Sequence, residues 1–177
     1  MTRLTTLAIA GLLTTLGCDE LRGVANPEVH HPGGALSVFS RRTLTNPDRV
    51  KGEAYERGRP TIDAAGMRLF VGSADHGLYA VHAGSGEPIW RFETLGPVQC
   101  EPLYDPGEDV VYFGSTDGAL YKVHAKDGTL IWRFATQAEV SNQPVLHQGT
   151  LYLTNANDTL LAVGAAKGEL GWSQPRQ

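Results

Sequence analysis

Residues 111–136 read VYFGSTDGALYKVHAKDGTLIWRFAT, and residues 69–94 read LFVGSADHGLYAVHAGSGEPIWRFET. The two stretches align without a gap at an offset of 42, and 14 of 26 positions are identical. A further copy, LYLTNANDTLLAVGAAKGELGW, begins at Leu151 and aligns to the middle copy at an offset of 40. Pro60, Pro102 and Pro144 recur at intervals of 42, so each unit extends upstream of the quoted stretch. Self-similarity at such a period marks a repeat architecture and governs every local reading.

The middle unit reads as four short strands: about Glu101–Asp105, Val110–Ser115, Leu120–Ala125 and Thr129–Thr136. Asp117-Gly118 is a strong hairpin signal. Leu120, Lys122 and His124 fall on one face of the third strand, with Tyr121, Val123 and Ala125 on the other. Lys126-Asp127-Gly128 turns the chain again, with Gly128 expected at positive φ. A four-stranded unit of about forty residues is a propeller blade. A parallel β-helix needs a shorter coil, and an α-solenoid needs a 3.6-residue period that is absent. The expected fold is all-β: a partial β-propeller of about three four-stranded blades of about 42 residues each. It occupies 59–177, with blades at about 59–94, 101–136 and 143–173.

Each unit carries a hairpin Gly followed four residues later by Trp: Gly86 and Trp90, Gly128 and Trp132, Gly168 and Trp172. This resembles the repeat of pyrroloquinoline-quinone (PQQ) dehydrogenases, with its tryptophan-docking pattern Ala-x-Asp-x-x-Thr-Gly-x-x-x-Trp. The first position falls on Ala80, Lys122 and Ala162, and the Asp position on His82, His124 and Gly164. The Gly and Trp positions match in all three units, while the Asp position departs in all three. The resemblance implies that these six Gly and Trp residues are structural and stitch adjacent blades together.

The same family binds PQQ with calcium, using acidic and amide ligands, a stacking Trp and a vicinal disulfide. The two cysteines here, Cys18 and Cys100, are not adjacent, and the tryptophans are taken up by the docking pattern. PQQ and calcium therefore enter only under an alternative reading, a fragment of a PQQ-dependent dehydrogenase. No catalytic, cofactor-binding or metal-ligating residue is assigned. Asp75 and Asp117 recur at equivalent turns and read as turn formers. His82 and His124, also equivalent, read as structural, and Cys100 as a small buried residue. Arg91 and Arg133, each inside Trp-Arg-Phe, form either a repeated exposed basic feature or surface ion pairs.

The 177 residues are 41% hydrophobic and 19% charged with net charge −4, an ordinary globular composition without the basic face that nucleic acid requires. Met1–Gly17 looks like an export signal, with Arg3 followed by an apolar run too short to span a bilayer. Its end, Thr15-Leu16-Gly17-Cys18, resembles a bacterial lipoprotein signal, which implies a lipidated Cys18. Residues 18–58 read as a tether, with exposed His30 and His31 and one candidate strand at Leu36–Leu44.

A lipid-anchored, periplasm-facing propeller of this repeat type resembles the B-type lipoprotein of the outer-membrane β-barrel assembly machinery. The resemblance implies a non-enzymatic bacterial envelope scaffold that docks the membrane-embedded assembly protein. A generic ligand-binding lipoprotein is a blander reading. Closed rings in these families need about seven or eight blades. The expectation is a truncated or short member of a longer family, with closure by self-association as the alternative.

Overall fold

The computed structural model describes residues 58–175. The export signal, Cys18, the His30-His31 pair and the candidate strand at 36–44 lie outside the described residues. Twelve strands form three four-stranded antiparallel sheets, and no helix occurs among the described residues. The first blade is β1 (Thr61–Asp63), β2 (Arg68–Ser73), β3 (Gly77–His82) and β4 (Pro88–Glu93). The second is β5 (Leu103–Asp105), β6 (Val110–Ser115), β7 (Ala119–His124) and β8 (Leu130–Ala135). The third is β9 (Val145–His147), β10 (Thr150–Thr154), β11 (Thr159–Gly164) and β12 (Leu170–Pro175). Strands run in chain order across each sheet, as in a propeller blade. The middle blade matches the expected strands, except that β5 starts at Leu103, β7 runs one residue earlier at Ala119–His124, and β8 is trimmed at both ends.

Turn chemistry explains the hairpins. Gly118 takes φ +75 between β6 and β7. Its repeat equivalent, His76, holds φ +68 without being Gly, and Asp158 does the same in the third blade at φ +53. A β-bulge recurs between the third and fourth strands of each blade, at Ala80/Val81, Lys122/Val123 and Ala162/Val163. The register beside each bulge sets Trp90 opposite Ala80, Trp132 opposite Lys122 and Trp172 opposite Ala162.

Alternation along the strands gives each blade two apolar faces, so the core lies between blades. Phe70, Leu78 and Ala80 of the first blade pack with Val111, Phe113, Tyr121 and Val123 of the second. Val110, Tyr112 and Leu120 of the second pack with Leu151, Leu153, Leu161 and Val163 of the third. The middle blade, covered on both faces, has β6 buried throughout. β12 is exposed along its whole length.

Candidate functional site

The Trp and Gly that meet belong to successive units. Trp90 Nε1 donates to the Ala125 carbonyl at 3.0 Å, and Trp132 Nε1 to the Ala165 carbonyl at 3.0 Å. Gly128 and Gly168 sit under these indoles. A Cβ on Gly128 would lie 2.7 Å from Trp90 Cε3, and one on Gly168 would lie 2.8 Å from Trp132 Cδ2. Both glycines also hold positive φ, +74 and +70. Gly86 shares that conformation at φ +71. Trp172 is 46% exposed and meets Tyr152 of its own blade at 6.1 Å between ring centroids.

Each interface adds polar ties of its own. Arg68 Nη2 reaches across to Asp109 Oδ1 at 2.6 Å while pairing with Asp63 Oδ2 in its own blade, also at 2.6 Å. At the next interface Lys122, 2% exposed, donates to Glu108 Oε2 at 2.6 Å and to the Ala165 carbonyl at 3.1 Å. Its ammonium also lies over the Tyr112 ring, 5.3 Å from the centroid. Burial works against the Lys122 charge, but the bond to Glu108 and the neighbouring Tyr112 outweigh it and hold its pKa above the usual lysine value. The equivalent positions are Ala80 and Ala162, so this buried cation breaks the repeat.

Asp75 and Asp117 do more than form turns. Tyr79 donates its hydroxyl to Asp75 Oδ2, and Arg91 Nε donates to that hydroxyl at 3.0 Å. Tyr121 donates to Asp117 Oδ2, and Arg133 Nε donates to Tyr121 at 3.1 Å. The third unit has Leu161 and Ser173 in place of Tyr and Arg, and lacks the arrangement. Burial, followed by the aspartate hydrogen bonds, pushes both phenols above their ordinary range. The two arginines then part company. Arg91 pairs with Glu93 Oε1 at 2.8 Å and donates to the Asp75 carbonyl at 3.0 Å. Arg133 pairs with no carboxylate among the described residues. It borders an open cavity of about 360 Å³ together with Asp117, Gly118, Gln137, Ala138 and Glu139. This cavity escaped the sequence reading. Its signal was the exchange of Glu93 for Ala135, two residues beyond each arginine.

The histidines at the Asp position of the docking pattern are exposed. His82 Nδ1 accepts from Gly84 N at 3.2 Å, so its ring caps the turn. In the middle blade Asp127 caps the turn instead, accepting from Thr129 N at 2.9 Å and from Thr129 Oγ1 at 2.6 Å. Cys100 is fully buried, and burial pushes its thiol up to about 12, far from a reactive thiolate.

Trp90 and Trp132 each set one indole face against a glycine of the next blade, where it serves the blade interface. No cluster of three or more His, Cys, Asp or Glu side chains able to hold a cation occurs among the described residues.

Residues 106–177 match a family model described as outer membrane protein assembly factor BamB. Among curated protein sequences none matches the chain. Among solved structures, BamB from Moraxella catarrhalis superposes with a TM-score of 0.57 at 21% identity, over 67% of this chain and 36% of that one. The quinohemoprotein alcohol dehydrogenase ADHIIG from Pseudomonas putida HK5 gives 0.61 at 19% identity, over 71% of this chain and 21% of that one. The quinohemoprotein alcohol dehydrogenase from Comamonas testosteroni gives 0.59 at 19% identity, over 77% of this chain and 25% of that one. The chain thus spans between a fifth and somewhat over a third of these proteins. At these identities the likeness establishes the fold: the repeats are PQQ-like β-propeller blades.

Proposed function

We propose that the chain is a non-enzymatic, exported lipoprotein scaffold whose blades dock other proteins and assist outer-membrane protein assembly. The carrying observation is the match of 106–177, the greater part of the middle blade and all of the third, to the BamB family model. The physical support is a stack of blades whose large side chains are turned into the interfaces, leaving the turns and outer strands to meet partners. Lipidation at Cys18 would hold this platform at a bacterial membrane, facing the periplasm.

The test is deletion of the gene in its bacterial host, with folded outer-membrane barrels measured by heat-modifiable gel mobility. Lower barrel levels, restored by the full chain, are expected. Unchanged levels would overturn the reading. Cys18→Ala should move the protein from the membrane to the soluble fraction, and its retention in the membrane would refute the anchor. The structural likeness to the two alcohol dehydrogenases favours one competitor, a fragment of a PQQ-dependent dehydrogenase. Dye-linked alcohol oxidation after addition of PQQ and calcium would support that competitor.

A further inference from the structure

Two interfaces join the three described blades, and both are built the same way. A tryptophan lies over a glycine turn of the next blade and donates Nε1 to the carbonyl three residues before that glycine. Trp90 meets Gly128 and Ala125 in this manner, and Trp132 meets Gly168 and Ala165.

Among the described residues each half of this device occurs once more without the other. Trp172 is held by its own blade as the docked tryptophans are. Its ring lies 6.1 Å from Tyr152, beside 6.0 Å for Trp132 and Tyr112 and 5.9 Å for Trp90 and Phe70. Yet Trp172 is 46% exposed, whereas Trp90 and Trp132 are half-buried. In the first blade Gly86 holds φ +71, beside +74 and +70 at Gly128 and Gly168. Its amide donates to the His82 carbonyl at 2.7 Å, as Gly128 N does to His124 at 2.9 Å and Gly168 N to Gly164 at 2.8 Å. The Gly86 turn thus has the shape of the two turns that receive an indole, with Ala83 at the acceptor position. The three tryptophans of the chain are placed elsewhere, so none of them rests on Gly86.

An exposed indole in the last blade and an indole-receiving turn in the first make one copy complementary to another, head to tail. Such contacts between unlike surfaces form a ring when the rotation closes. Two copies bring six described blades and three bring nine, while propellers hold about four to eight. The two-copy ring is the one that fits.

We propose that Trp172 of each copy docks on the Gly86 turn of a second copy, donating to its Ala83 carbonyl, so that two chains close one ring. The blade interface seen twice within the chain is thereby continued between chains. The proposal goes beyond the scaffold reading and stands independently of it.

The test is sedimentation equilibrium of the full chain carrying Cys18→Ser, so that no lipid anchor can form. A dimer is expected, and amide exchange along β12, fast in the dilute chain, should slow as it forms. Trp172→Ala should weaken dimerisation about a thousandfold, because two hot-spot tryptophans are lost per dimer. Gly86→Asn should weaken it from the other face, since Asn tolerates the left-handed conformation but adds a Cβ where the indole would rest. Far-UV circular dichroism checks that each variant is folded. Mixing the two variants should restore a heterodimer, because intact Trp172 of one meets intact Gly86 of the other. A monomeric wild type, a dimer indifferent to Trp172→Ala, or a mixture no more associated than either variant alone would each overturn the proposal.

Discussion

The contact between Trp90 and Gly128 offers a sharp test of how the blades are joined. Truncating Trp90 to Ala removes a half-buried indole. The lower end of the range for buried aromatics, about 3 kcal/mol, applies. Losing the Nε1 bond to Ala125 adds about 1 kcal/mol. Gly128→Ala carries two separate costs. Holding an L-residue at φ +74 costs about 1–2 kcal/mol. A Cβ 2.7 Å from the indole forces a further shift, costing about 1–3 kcal/mol. The second cost vanishes once Trp90 is gone. The double variant Trp90→Ala/Gly128→Ala should therefore be more stable than the sum of the singles predicts, by about 1–3 kcal/mol. Urea denaturation of the full chain and its three variants, followed by far-UV circular dichroism, measures this directly. If the costs add to within about 0.5 kcal/mol, the indole does not rest on that glycine and the interface geometry is wrong.

Lys122→Met should cost less stability at neutral pH than Glu108→Ala, because the methionine fills the interface while the glutamate truncation strands a buried ammonium. The Lys122 pKa is raised in the fold, so its contribution is complete below the unfolded value of about 10.4 and fades as pH rises through the folded value. Above that pH the wild type should lose its advantage over Lys122→Met, and parallel alkaline denaturation profiles would contradict this. At Asp63 burial opposes ionisation, but the Gly66 amide and Arg68 outweigh it and lower the pKa. The resulting stability is present above about pH 3.9 and lost as pH falls through the depressed value, so Asp63→Asn should flatten the acid limb of the stability curve. Equal acid sensitivity of variant and wild type would remove Asp63 from that role. In a Cys18→Ser background Cys100 should resist iodoacetamide until the chain is unfolded. Native labelling at the rate of a free thiol would show that the interface opens.

Blade number and strand order were legible because the repeat copies a whole hairpin set, turns included. The recurring Gly and Trp positions were visible for the same reason, and their role between adjacent blades followed from the family resemblance. The geometry supplies the individual pairs, Trp90 with Gly128 and Trp132 with Gly168. Burial of Lys122 was hidden because lysine is almost never fully buried, and only the geometry reveals Glu108 and the Ala165 carbonyl around its ammonium. Arg91 and Arg133 look alike within Trp-Arg-Phe. Their difference arises two residues on, where Glu93 becomes Ala135, and the structure shows that Glu93 holds the Arg91 guanidinium.

Because each blade buries its apolar faces only against its neighbours, cohesion here behaves as a one-dimensional chain of couplings. A residue change in β6 or β7 is felt at two couplings, whereas one in β12 is felt at none between these blades. Amide protons should then exchange slowest at the centre of the array and fastest along β12. The middle blade is the stretch where sequence is least free to drift.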